Sequence, residues 1–446
     1  MQSRYIKVTL RQAHLFLLLA ALSMCGSVLA EDGAYWEEMT LSGDWQGKRS
    51  GWSERGVNLE FTHRSDVLSN VSGGLQRGNV WLSYTDARAL FDLDKLYGRS
   101  GLTAFFHYHG EAGGKPNERL VGSFMGVDNI EVGSNTAQFY HAWLQQNMFD
   151  DGLSVLVGLY PVDSEFYVTD TSGVFLHPSM GMAAEVAQAG VNGPPVYPLG
   201  SFGTRIKYSS PNRTAYWQLA LLDGVPGDPN NSHGTHIRLG NGDGSFFITE
   251  IGYMPLEAGH TFEPVSPEGA AKLEPEIKLH EKLEGFDKTA FGMWRYSARF
   301  DDLTDFDAQG NPVRRASFGW YVLAERTLHA EDDPAQGLAG FVRLGATNGD
   351  IQQSDGSFSM GLRYMGLLDG RDEDVVGIAV TGSHAGRKYR ALNQSAEFET
   401  MAELTYRAQI RKWLGVQPLL QKIFHPNMDR SIPDATLLGV RVEVFL

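Results

Sequence analysis

The chain of 446 residues is predicted to be all-β: a transmembrane antiparallel up-and-down β-barrel of about sixteen strands, preceded by a short N-terminal helical segment. Three observations predict it. Residues 434–446 alternate so that Leu438, Val440, Val442, Val444 and Leu446 share one face while Gly439, Arg441, Glu443 and Phe445 share the other. A strand with one aliphatic and one charged face needs two solvents, which a closed barrel in lipid with a wet lumen supplies. Segments of the same period recur from Val57 onward; sixteen are counted, and an even number suits a bacterial barrel. No apolar run after residue 30 approaches the roughly 20 residues of a spanning helix, yet the chain holds 51 glycines, 17 tyrosines and 9 tryptophans. Helical membrane proteins are thereby excluded, and connection lengths must separate a barrel from a secreted soluble β protein.

At the front, Arg4, Lys7 and Arg11 lead into the apolar run His14–Met24, and Val28-Leu29-Ala30 offers small side chains for cleavage. Residues 1–30 therefore read as a signal peptide, with Glu31 as the mature start. Cys25 is the only cysteine, so the mature chain has no thiol chemistry. Cleavage moves the formal charge from −15 to −18, which excludes a nucleic-acid partner. Residues 31–56 form an N-terminal periplasmic or plug segment, in which 41–56 reads as a short amphipathic stretch closed by Gly56.

Residues 57–446 form the barrel domain. Its clearest strands are Leu153–Tyr160, Phe341–Thr347, Phe358–Tyr364, Val376–Val380 and Ala396–Tyr406. Tight turns at 150–152, 211–212 and 411–412 mostly alternate with longer gaps, as periplasmic turns alternate with surface loops. The longest outer gap, 161–199, is too large for a hairpin and is expected to fold into the lumen. Residues 256–288 break the rule: parity makes them a periplasmic turn, yet they are long and rich in Glu, Lys and Pro, with a short helix expected at 278–283. Either a strand pair is hidden there or the turn carries an insertion, and we favour the insertion.

The chain resembles the carbohydrate-selective, OprB-like porins of bacterial outer membranes. The resemblance covers nearly the whole mature sequence. It rests on Gly43–Arg49, Leu93–Gly98, Tyr140–Gln146, Gly158–Phe166, Phe175–Gly181, Pro195–Pro198, Leu222–Pro226, Arg343–Gly345, Tyr364–Arg371, Glu403–Tyr406 and Gln417-Pro418, in that order and spacing. It implies a sixteen-stranded outer-membrane barrel that passes small sugars by diffusion. The sequence departs from the pattern at His141 and Gln145, where acids are expected, at Leu419-Leu420, and at Leu446 in place of a terminal aromatic.

A diffusion channel does no covalent chemistry; it needs a narrow wet path whose polar groups replace part of a solute's hydration. Alternation points Arg205, Lys207, Arg343, Arg363, Glu399 and Glu403 into the lumen, together with Arg407, Arg441 and Glu443. These charges either make a transverse field across the path or pair to hold loops against the wall. Phe166, Tyr167 and Phe175, in the infolded loop, are candidates for stacking on a sugar's CH face. Trp143, Trp294, Trp320, Tyr364 and Tyr406 read as interface-belt anchors.

Acidic clusters at 301–302, 331–333 and 372–374 read as turn residues rather than calcium loops. His107, His109, His233 and His236 read as surface or lumen histidines, so neither metal nor cofactor is expected. The competing functions are a sugar channel, a channel for small hydroxy-acids such as gluconate or quinate or for small solutes generally, and a barrel enzyme. The last lacks any recognisable nucleophile, base and orienting group. Expected partners are small sugars, outer-membrane lipid and lipopolysaccharide, with the protein a homotrimer or a monomer.

Overall fold

The structure, a computed structural model, describes residues 31–240, 244–255, 287–333 and 336–446, with side chains from Tyr35 onward. The signal-peptide reading of 1–30 and the helix expected at 278–283 fall outside these residues. Sixteen strands follow one another: β1 (Val57–Ser72), β2 (Gly78–Asp92), β3 (Leu102–Gly113), β4 (Ala137–Met148), β5 (Leu153–Tyr160), β6 (Ser201–Ser209), β7 (Ala215–Asp223) and β8 (Ser245–Tyr253) make the first half. The second half is β9 (Lys288–Phe306), β10 (Pro312–Ala330), β11 (Gly337–Thr347), β12 (Ser354–Met365), β13 (Val375–Ala385), β14 (Phe398–Arg411), β15 (Leu414–Phe424) and β16 (Ala435–Phe445). Each pairs antiparallel with its sequence neighbours, and β1 pairs with β16 to close the barrel.

Period-two alternation sets which side each residue faces. On β16, Leu438, Val440 and Val442 are exposed on the outer wall, whereas Leu437, Arg441, Glu443 and Phe445 are buried inside. Pairing of Thr62 with Phe445 and Asp66 with Arg441 locks this register, and a slip of one residue would turn every charge into lipid. Strands β8 and β9 pair directly from Phe246 opposite Tyr296 to Tyr253 opposite Thr289. Among the described residues no strand lies between them in the barrel, so residues 254–287 join neighbouring strands at the end where β1 begins and β16 finishes, and a strand pair hidden within the wall is ruled out there. Among the described residues no helix is long and apolar enough to cross a membrane.

Two connections at the opposite end, 114–136 and 161–200, turn inward and bury themselves in the lumen. Leu120, Val121, Met125 and Val127 of the first and Phe175 and Leu176 of the second join wall residues Phe341, Met401, Leu419 and Leu437 in one apolar cluster. Val162, Phe166, Tyr167 and Val186 join Leu156, Phe246, Trp294, Tyr321 and Leu323 in another. The inner wall is therefore only partly polar, because the face that receives the loops must itself be apolar. Glycines make room where the fit is closest: a Cβ at Gly345 would overlap the Glu185 carboxylate, and one at Gly377 would come within 2.8 Å of the Phe175 ring.

Two of the expected belt aromatics are corrected by this filling. Trp294 is 2% exposed within the second cluster, and the Trp143 ring packs on Phe105 at 5.2 Å. Trp320 does face outward. Of the acidic clusters, Asp301 and Asp302 lie within β9 rather than in a turn, and all three clusters meet protein cations or hydroxyls. Lys388 reaches Asp302 at 2.6 Å, Asp305 at 2.9 Å and Asp350 at 3.4 Å, and Arg315 joins Asp302 and Asp305 at 2.7 Å. This network ties the outer ends of β9 and β10 to the 386–397 connection.

Candidate constriction

Wall carboxylates hold the infolded loops by accepting from their amides. Glu403 on β14 accepts from the Leu176 amide at 2.8 Å, the His177 amide at 3.1 Å and Gln421 Nε2 at 3.0 Å. Glu399, two pleat repeats away on the same face of β14, accepts from Ser123 Oγ at 2.5 Å and from the Phe124 and Met125 amides at 2.8 and 2.9 Å. Glu250 takes the Tyr167 amide at 3.0 Å and Glu325 the Thr171 amide at 2.9 Å. These strand carboxylates supply the acceptors that non-regular backbone in a lumen would otherwise lack.

The cations predicted from alternation do the complementary work. Arg343 is fully buried and donates to the Gly181 and Ser179 carbonyls at 3.1 and 2.9 Å, with its guanidinium 5.2 Å from the Tyr167 ring. Arg205 donates to Glu165 at 2.7 Å and to Gln145 at 2.6 Å. Burial raises the Glu165 carboxyl, but Arg205 and Lys207 outweigh it and hold the group below its ordinary range. Arg363 is buried on β12, which meets the 170–174 turn. Phe166, Tyr167 and Phe175 are buried to 0%, 0% and 3% exposure, so none presents a ring face to solvent in this arrangement. Arg205, Arg343, Glu399 and Glu403 thus share one task, seating the loops, while Lys207 stands apart with 22% of its side chain exposed, 3.9 Å from Glu165.

Where the loops leave the wall of β1, β2, β14 and β16 partly uncovered, a second set of charges meets. Arg64 donates to Glu443 at 2.6 Å, and the other oxygen of that carboxylate accepts from Arg407 at 2.8 Å. Arg88 pairs with Asp86 at 3.1 Å. The Arg64 guanidinium lies 5.6 Å from the Tyr84 ring, which meets Tyr197 of the second loop at 6.0 Å. Arg64 and Arg88 keep 15% and 13% of their side chains exposed. Forked donors, a shared carboxylate and a ring face meet here, groups able to exchange hydrogen bonds with a polar solute. Among the described residues no group of three His, Asp, Glu or Cys side chains is placed to hold a metal.

Residues 82–445 match the family described as carbohydrate-selective porin, OprB family. The chain belongs to the OprB family. Porin B of Pseudomonas aeruginosa is 24% identical over 90% of both chains. The high-pH structure of OprB from Pseudomonas putida superposes with a TM-score of 0.77 at 19% identity, covering 92% of this chain and 99% of that one. The low-pH structure of the same protein gives 0.57 at 17% identity with the same coverage. This OprB-family porin is accordingly a channel of the Gram-negative outer membrane through which small solutes pass, rather than an enzyme.

Alternation in this porin also carried a signal for Arg64 and Arg88, which sequence reasoning passed over. Glu60, Thr62, Arg64 and Asp66 follow one another on one face of β1, and Tyr84, Asp86 and Arg88 on one face of β2. Both runs mark an inward polar face as clearly as those of β11, β12 and β14 do. Tyr197 carried no such signal, because its place depends on how a loop of irregular structure folds back.

Proposed function

We propose that the barrel gives diffusive, carbohydrate-selective uptake of small neutral sugars, with the narrow path running along the β1, β2, β14 and β16 wall beside Tyr197. The observation that carries this reading is the paired belt: Arg64 and Arg407 share the Glu443 carboxylate, Arg88 meets Asp86 and Arg441 meets Asp66, beside an aromatic face. Matched charges favour a solute rich in donors and acceptors over an apolar one. Because every one of these guanidiniums already faces a carboxylate, an anion gains less here than it would at an unpaired arginine, which argues against gluconate or quinate as the preferred solute. Residues 1–30 serve as the export signal and 31–56 as a periplasmic segment in this reading.

Liposome swelling with purified protein tests it. Glucose should permeate faster than its size alone predicts and gluconate more slowly. Arg64→Ala should cut the glucose advantage by about three- to tenfold, the worth of one charged hydrogen-bonding partner. Rates ordered by solute size alone, in wild type and variant alike, would refute the selective path.

A further inference from the structure

Outside the lumen, the membrane-facing wall of β9 and β10 carries a cluster of charge that the channel does not use. β9 rises from the end where β1 begins, and its exposed side chains change on the way from Phe291 and Met293 to Arg295, Arg299 and Asp301. β10 descends beside it with Arg314, Phe318 and Trp320 exposed. At the same end of the barrel Phe202, Phe247, Phe318 and Phe398 stand exposed on β6, β8, β10 and β14, the pattern of an outer aromatic girdle. Arg295 pairs with Phe247 on one side and with Phe318 on the other. Its guanidinium therefore leaves the wall at the level of the girdle, where hydrocarbon gives way to headgroups, and Arg299 and Arg314 lie nearer the rim.

A cation on a lipid-facing wall is costly at mid-membrane and tolerated at the interface, where an anion can meet it. Arg295 has neither an ion-pair nor a hydrogen-bond partner among the described residues. Arg299 donates to the Arg314 carbonyl at 3.2 Å, and Arg314 donates in return to the Arg299 carbonyl. Arg314 also meets Asp301 at 2.8 Å. The exchanged bonds hold two like-charged guanidiniums side by side, and Asp301 offsets only one charge of the three. From Ala316 to Phe318 β10 advances two residues while β9 advances four, from Arg299 to Arg295. This irregularity brings the two β9 arginines closer than the roughly 13 Å that four residues of regular strand would set. Surplus positive charge on several forked donors suits phosphate. Below them Met293 and Trp320, 51% and 42% exposed, continue the apolar wall along which acyl chains lie.

We propose that Arg295, Arg299 and Arg314 dock the phosphorylated headgroup of lipopolysaccharide on the outer wall, with its acyl chains against Met293 and Trp320. The leaflet follows from the end of the barrel: the tight turns and both ends of the sheet lie at the opposite, periplasmic side. Native mass spectrometry of the full porin in detergent tests the site, with diphosphoryl lipid A, lipid A stripped of its phosphates, and phosphatidylglycerol as probes. Wild type should bind diphosphoryl lipid A at least tenfold more tightly than either of the others. Arg295→Gln should weaken that binding by about fivefold, and Arg295→Gln/Arg299→Gln/Arg314→Gln by about a hundredfold. Arg326→Gln, near the periplasmic end of β10, where Asp287 pairs with Arg326 at 3.4 Å, should leave it unchanged. Arg295 makes no bond that its loss would break among the described residues, so Arg295→Gln decides the matter even where the triple variant fails to assemble. Lipid A affinity unaltered in Arg295→Gln, or phosphatidylglycerol bound as tightly as lipid A, overturns the proposal. Displacement of lipid A by inorganic phosphate alone overturns it too, since the arginines would then hold a free ion rather than a lipid.

Discussion

Glu403→Ala should loosen the plug and widen the channel. The carboxylate accepts from two loop amides and from Gln421, and it is 1% exposed. Each bond to a charged acceptor is worth roughly 1.5–3 kcal/mol, and the donors left behind stay buried without water. The closed position of 175–177 should therefore lose several kcal/mol relative to a detached one, while the barrel wall, held by sixteen ladders, stays folded. Single-channel conductance should rise, with larger current noise and a higher size limit for sugars in swelling assays. Glu399→Ala should do the same through the other loop, because its acceptors serve Ser123, Phe124 and Met125. Glu403→Gln keeps the volume and one acceptor oxygen and should fall between wild type and alanine. Unchanged conductance in both alanine variants would mean that the apolar contacts of Phe175, Leu176 and Met125 hold the loops unaided.

The same residues mark where the sequence was legible. Strand number, register and inward charge followed from period-two alternation, because lipid on one side and lumen on the other impose opposite demands at every second residue. Leu438, Val440 and Val442 on the outer wall and Arg441 and Glu443 inside could be assigned from that rule alone. What an inward charge touches was a different matter. Arg343 and Glu403 carry the same alternation signal as Arg64, yet the first two are sealed under the plug and the third keeps contact with solvent. The distinction is made by the 114–136 and 161–200 connections, whose irregular backbone follows no period. Trp294 shows the converse error, for an aromatic that could have been a membrane-interface anchor proves to be part of the cluster that receives Phe166 and Val186. Apolar residues on both faces of β7 and β8 were the available sign that something apolar lay inside.

Arg49→Ala should destabilise the whole barrel, although Arg49 belongs to no strand. It lies in a seven-residue helix, Lys48–Glu54, that follows a first helix at Glu31–Met39. Its guanidinium sits 4.3 Å from the Trp36 ring and 4.6 Å from the Trp45 ring. It donates to Thr40 Oγ1 at 3.0 Å, the Gly43 carbonyl at 3.3 Å, the Leu59 carbonyl at 3.1 Å and a Leu446 oxygen at 3.0 Å. One planar cation thus joins the N-terminal segment to β1 and to the residue that follows β16, beside the bonds from the Leu41 amide to the Phe445 carbonyl and from the Leu446 amide to the Phe61 carbonyl, both 2.8 Å. Burial lowers the group to about 10, so it stays charged at neutral pH. Removing the partner of several buried acceptors costs roughly 3–5 kcal/mol, and two cation–π contacts add about 1 kcal/mol or more. The unfolding temperature read from heat-dependent gel mobility should fall, and outer-membrane levels with it. Arg49→Lys should rescue little, since an ammonium cannot serve the same spread of acceptors between two rings. Deleting Val444 to Leu446 removes the other half of this clasp together with the buried Phe445 ring and should abolish assembly, whereas Leu446→Phe keeps the backbone contacts and should assemble. Normal levels and normal unfolding in both Arg49→Ala and the deletion would mean that the strand ladder closes the barrel without the N-terminal segment.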